Sequence, residues 1–274
     1  MELGALFAAY EASVAALLDL ATDLGPRDLV RPTACPGWTL FDQYAHVESV
    51  DAWFLGEPLP DLDVSGYAHV RGPFAETIER LVESRRGRPF DDVLSGMRRH
   101  LDSWRSRLGG ADEGLQLPSP LGLTAATRVI GIRLFDAWVH EQDVREALDR
   151  PGALDTPGAA HAVGRLVAAW PAIVASAGVP AGSVVALRVT GPSPGTALAR
   201  AELHSGAPPA DGTGASGSAT GPVTATITAT ITAGTFAATR LAAGRHPLGR
   251  PYPWTGTGDL AAAGAVVRAM AITP

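Results

Sequence analysis

In Arg133-Leu134-Phe135-Asp136-Ala137-Trp138-Val139-His140-Glu141-Gln142-Asp143-Val144-Arg145 the chain shows its architecture and its chemistry together. Asp136 and His140 stand four residues apart, so on a helix both side chains project from one face. Arg133 and Asp143 extend the same stripe. The rest of the stretch is rich in core residues, and a charged stripe that faces inward needs partners, because a buried charge must be paired or metal-bound. The helix carrying it is expected over residues 124–148, stopped by Arg150-Pro151-Gly152.

Three helical regions precede it. Leu3, Leu6, Phe7, Tyr10, Val14, Leu17 and Leu18 recur at spacings of three and four, which predicts a helix over residues 3–22 ended by Gly25-Pro26. Pro36-Gly37-Trp38-Thr39 announces a second. Thr39 with Asp42 resembles a capping box with aspartate in the usual glutamate place, and the helix continues through Tyr44, Val47, Val50 and Phe54 to Gly56. The third region, residues 74–109, is interrupted at Gly87-Arg88-Pro89. Four helical regions in series suggest a bundle.

Beyond residue 150 the pattern changes. A bridging helix near residues 157–177 leads to segments of period two: a strand over 184–189, a hairpin partner over 197–203, and a strand over 223–232 in which threonine alternates with apolar residues before a helix over 236–243. Residues 205–221, rich in Gly, Ala, Ser and Pro, are expected to form a flexible surface loop. The expected organisation is a helical bundle over residues 1–152 followed by an α+β domain over residues 153–274.

The composition agrees with two parts, since 274 residues correspond to about 1.8 domains at ~150 residues each. Residues 1–150 hold 24 of the 28 acids and 15 of the 22 arginines, a net of −9, while the remainder nets +3. The overall charge of −6 argues against a general nucleic-acid binder, which needs a basic face. Lysine is absent, so Schiff-base chemistry and a P-loop lysine are excluded. The lone Cys35 forms neither an internal disulfide nor a multi-cysteine metal site, and in its turn before a helix it reads as structural. The N-terminus lacks the basic region of a signal peptide, and no stretch reads as a membrane span, so the expected location is the cytoplasm.

Asp136 and His140 offer a carboxylate oxygen and an imidazole nitrogen to a divalent metal, and His46, mid-helix among Tyr44, Val47 and Val50, is the best third ligand. Three such ligands with a position left open is the arrangement of a catalytic zinc or similar ion. The alternative is an Asp-His pair on a solvated helix face plus an ordinary core histidine. Arg133 is the nearby arginine suited to a substrate or thiol anion, or else it pairs with Asp136. Asp143 is placed to orient a ligand histidine from behind, or to pair with an arginine.

The segment Thr33-Ala34-Cys35-Pro36-Gly37-Trp38-Thr39-Leu40-Phe41-Asp42-Gln43-Tyr44-Ala45-His46, followed about ninety residues later by residues 135–145, resembles the mycothiol-dependent maleylpyruvate isomerase family, part of the DinB-like metalloenzymes. The resemblance spans the whole chain. It implies a DinB-like four-helix bundle, a small α+β C-terminal domain, and a metal triad of His46, Asp136 and His140. The isomerase itself uses glutamate where Asp136 stands. Glu141 is a fallback carboxylate but lies about 100° around the helix from His140.

The resemblance further implies zinc, mycothiol as the thiol, an actinobacterial setting, a small electrophilic substrate, and a monomer or homodimer with no nucleic-acid or membrane partner. The thiolate would add to an electron-poor alkene and leave again. Alternatives on the same site are thiol S-transfer or a specialised natural-product step. A third is a non-enzymatic ligand-binding or regulatory protein on the DinB-like fold.

Overall fold

The computed structural model describes residues 1–202 and 226–273. The helical half runs α1 (Leu3–Leu20), α2 (Pro26–Leu29), α3 (Leu40–Phe54), α4 (Pro73–Glu83) and α5 (Phe90–Leu108), then the hairpin β1 (Gln116–Ser119) and β2 (Gly122–Ala125), then α6 (Ala126–Ala147). Thr39 caps α3 as its sequence predicts: its hydroxyl accepts from the Asp42 amide while Asp42 accepts from the Thr39 amide. The expected break near Gly87 separates α4 from α5. The short α2 and the β1–β2 hairpin carry too little periodicity for sequence reading to find them.

In the bundle α1 lies along α6, and α3 packs against α5 and α6. Tyr10, Leu17, Leu40, Tyr44, Val47, Val129, Leu134 and Ala137 are fully enclosed between them. This core surrounds the polar stripe of α6 without absorbing it, which leaves those charges to find partners of their own.

The second half comprises α7 (Pro157–Ser176), β3 (Val184–Thr190), β4 (Gly195–Arg200), β5 (Ala229–Gly234), α8 (Thr235–Ala242), β6 (Trp254–Gly258) and α9 (Leu260–Arg268). The sheet order is β4-β3-β5-β6, with β3 and β5 parallel and the outer pairs antiparallel. In β5, Ala229, Ile231 and Ala233 face the core while Thr230 and Thr232 are half-buried, as the alternation requires. Among the described residues the strand begins at Ala229, opposite Val185 of β3, with 226–228 outside it. Residue 223 and the predicted loop 205–221 lie outside the described residues. The hairpin partner is β4 at Gly195–Arg200 rather than 197–203, since the tight turn after β3 sets Val189 opposite Gly195. Neither β6 nor α9 was legible, for their Gly- and Ala-rich sequences carry weak patterns.

Against the sequence expectation, α1 and α7 are long and apolar enough to cross a membrane by length and composition. Both bury one face against protein. In α7 the burial is tight enough to require glycine: a β-carbon on Gly158 would stand 2.7 Å from the Trp138 ring. That ring is itself held by its Nε1, which donates to Ala153 O at 3.1 Å. Phe135, Trp138, Ala159, Ala162 and Ala243 join α6, α7 and the end of α8 in one apolar cluster, so the second half is seated on the helix that carries the polar stripe.

Candidate metal centre

α3 and α6 cross so that His46 meets Asp136 and His140, and one donor atom from each lies within 4.8 Å of the others. His46 Nε2 is 3.1 Å and 3.2 Å from the two Asp136 oxygens, and His140 Nε2 is 3.5 Å from Asp136 Oδ1. The two imidazole centroids are 4.4 Å apart. Trp38 lies against both rings, at 4.9 Å and 5.8 Å, and its Nε1 donates to Glu79 Oε2 at 2.8 Å, which fixes the indole as a wall. The turn before it must be glycine, because Gly37 has φ +80° and a β-carbon there would run into the His69 ring. Only the Asp136 side chain, 24% exposed, gives the group a face toward solvent.

Burial opposes a charge on Asp136, yet His46 and the Arg133 guanidinium outweigh it and hold the carboxyl well below the usual carboxylate range. Arg133 is fully buried. Its Nη1 donates to Asp136 at 2.5 Å, its Nε to Asp51 at 2.8 Å and its Nη2 to Val47 O at 3.1 Å. Asp51 also accepts from the Tyr10 hydroxyl and from Trp104 Nε1. With its donors engaged inside the protein, Arg133 sits behind the site and holds Asp136 rather than reaching toward a ligand.

Behind His140 the Nδ1 atom faces Gln43 Oε1 at 2.6 Å and Asp143 Oδ2 at 3.1 Å. Asp143 is fully buried and receives donors from Arg240 and Arg245, both contributed by the second half. Burial would raise its pKa, but the two guanidinium groups hold it well below the carboxylate range. Sequence reading found Asp143 and missed Gln43, Asp51, Arg240 and Arg245. Gln43 carried a signal, since it lies three residues before His46 on the same helix, a spacing that places both on one face. The arginines, about a hundred residues away from Asp143, carried none.

Glu141 points away from the triad and pairs with Arg145 at 2.7 Å. Cys35 packs beside Trp38 and Val82, and burial pushes its thiol up to about 12, so it is not a thiolate at neutral pH. Burial also lowers His46 to about 4 against the opposing pull of Asp136, so this ring is neutral at physiological pH. The unfolded chain takes up that proton near pH 6.5 while the folded chain resists it. Metal-free protein is therefore expected to lose stability as pH falls from about 6.5 to about 4, and His46→Gln to flatten this slope. Urea unfolding at several pH values measures it, and an equal slope in the variant would assign the effect to another group.

No curated protein is a significant sequence match to the chain. Residues 10–145 match the mycothiol maleylpyruvate isomerase N-terminal domain family. The fold is similar to a crystal structure of a mycothiol-dependent maleylpyruvate isomerase, with a TM-score of 0.55 at 15% identity over 92% of this chain and 96% of that one. It is also similar to a histidine-to-alanine mutant of such an isomerase, with a TM-score of 0.53 at 14% identity and the same coverage. Identities this low speak for the fold, and it is shared along both chains nearly in full. Through residues 10–145, the chain belongs to the mycothiol maleylpyruvate isomerase N-terminal domain family.

Proposed function

We propose that this protein is a mycothiol-dependent isomerase of the maleylpyruvate isomerase kind, with His46, Asp136 and His140 as ligands to a divalent cation, zinc being the best suited. The observation that carries the reading is the convergence of two imidazole nitrogens and a carboxylate within 4.8 Å, on a site whose ligands are buried or half-buried. Two neutral nitrogens and one anionic oxygen suit a borderline cation such as zinc, and three protein donors leave a coordination position open. When bound, such an ion favours a thiolate over a thiol, which is the nucleophile that adds to and leaves an electron-poor alkene.

The protein's own residues prepare that chemistry. Arg133 keeps Asp136 ionised and oriented, and Trp38 shields the two imidazole rings from water. The Arg240–Arg245–Asp143 cluster seats the second half beside His140. Lysine is absent from the sequence, and burial keeps the Cys35 thiol protonated at neutral pH. That favours a nucleophile delivered by a small thiol. A division of labour after residue 152 and a cytoplasmic location accompany this reading.

Asp136, one methylene shorter than the glutamate of the isomerase pattern, favours a second reading in which the same site performs thiol S-transfer. Purified protein is expected to contain about one divalent metal per chain and to convert a cis electron-poor diacid to its trans isomer only when mycothiol is present. Stable accumulation of a mycothiol adduct would select S-transfer instead. Protein free of metal and inert with mycothiol would overturn both.

A further inference from the structure

His140 can present a lone pair at Nε2 only when its ring proton sits on Nδ1. The nearest partner of Nδ1 is Gln43 Oε1 at 2.6 Å, while Arg245 Nη2 stands off at 3.5 Å. An amide has two ends. Its oxygen leaves the proton on Nδ1, whereas its NH2 group would make Nδ1 accept and send the proton to Nε2, toward Asp136. Thr33 selects between them. Its hydroxyl donates to Trp38 O at 2.9 Å, so toward Gln43 it presents a lone pair, and Gln43 Nε2 donates to it at 2.7 Å. Gln43 is fully buried and Thr33 nearly so, which leaves little room for water to substitute. Asp143 Oδ2 lies farther from Nδ1, at 3.1 Å, and is already held by Arg245.

We propose that Gln43 is a positioning residue that fixes the tautomer of His140, with Thr33 setting the direction of the Gln43 amide, so that Nε2 remains free for a divalent cation. The purpose of this device rests on the metal reading above, while its geometry does not. Unlike a carboxylate, a glutamine in this place adds no charge to a buried site that already holds Asp136 and Asp143. Thr33 and Gln43 lie in the turn and the first turns of α3 that also supply Trp38 and His46, so one short segment builds the wall, one ligand and the orientation of the other.

The test is nitrogen NMR of histidine-labelled, metal-free protein, with Zn2+ alone as the probe of affinity. Wild-type His140 is expected to carry a ring proton on Nδ1 and a lone pair on Nε2. Gln43→Leu is expected to give a mixture of tautomers and to weaken Zn2+ binding roughly 10–100-fold. Thr33→Val keeps the glutamine but frees its amide to turn, so a smaller shift in the same direction is expected, and Thr33→Ser, which retains the hydroxyl, is expected to match wild type. If Gln43→Leu does not fold, the Thr33→Val and Thr33→Ser pair carries the test. A wild-type proton on Nε2, or a tautomer unchanged in Gln43→Leu and Thr33→Val, would overturn the proposal. Wild-type protein with the expected tautomer but no affinity for Zn2+ would overturn the metal reading and leave the role of Gln43 standing.

Discussion

Replacing His140 by alanine is expected to reduce bound metal from about one ion per chain to under about a tenth. Two donors would remain, His46 and Asp136, and Asp136 is already shared with Arg133 at 2.5 Å. Two protein ligands do not retain a divalent ion against water in the way three do. The loss of affinity should exceed the roughly 10–100-fold that follows removal of an outer partner of a ligand. The fold should survive, because α6 keeps the apolar residues that pack it, Val129, Ile130, Leu134 and Ala137 among them. Elemental analysis after dialysis, with circular dichroism as the check on folding, decides the matter. Metal retained at wild-type levels would place the ion elsewhere.

The second large effect concerns stability. Asp143→Ala removes the carboxylate that Arg240 and Arg245 share, leaving two buried guanidinium groups without their main partner. Breaking a buried pair in this way costs about 3–5 kcal/mol, since the stranded charge keeps its desolvation penalty and loses its compensation. For a protein of this length that corresponds to a fall in Tm on the order of 10 °C. The damage falls where the two halves meet, because Asp143 is on α6 while Arg240 is on α8 and Arg245 just beyond it. Glu146, 3.2 Å from Arg240 and already accepting from the Tyr252 hydroxyl, would remain as a partner for Arg240 alone. Urea or thermal unfolding measures the loss, and a cost below about 1 kcal/mol would show that the arginines find other acceptors.

These two residues also mark the limits of what the sequence discloses. His140 was readable because Asp136 lies four residues before it, a spacing that the helix converts into proximity without any knowledge of the rest of the fold. His46 needed the family resemblance as well, since nothing local says that α3 crosses α6 at that turn. Asp143 was visible on the stripe, but its partners were not. For Arg133 the sequence left substrate contact and ion pairing open, and the geometry engages it with Asp51, Asp136 and Val47 O. The same contrast holds for the sheet. Alternation of Thr with Ala and Ile marks β5 as a half-buried strand, whereas its pairing with β3, forty-four residues earlier where Val185 meets Ala229, is set by the tertiary structure.

By itself the sequence determined the bundle helices, the Thr39 cap, the change to period two and the shared face of Asp136 and His140. Each is a property of neighbours within a turn or two, where backbone geometry alone sets which side chains meet. Only the tertiary structure decided the direction in which Gln43 presents its amide, the engagement of Arg133 behind Asp136, and the closing of Arg240 and Arg245 on Asp143. The contacts of Gln43 with His140, of Arg133 with Asp51 and of the two arginines with Asp143 join residues some eighty to a hundred positions apart, and their partners are selected by the cost of leaving a buried polar group unpaired once the elements have packed.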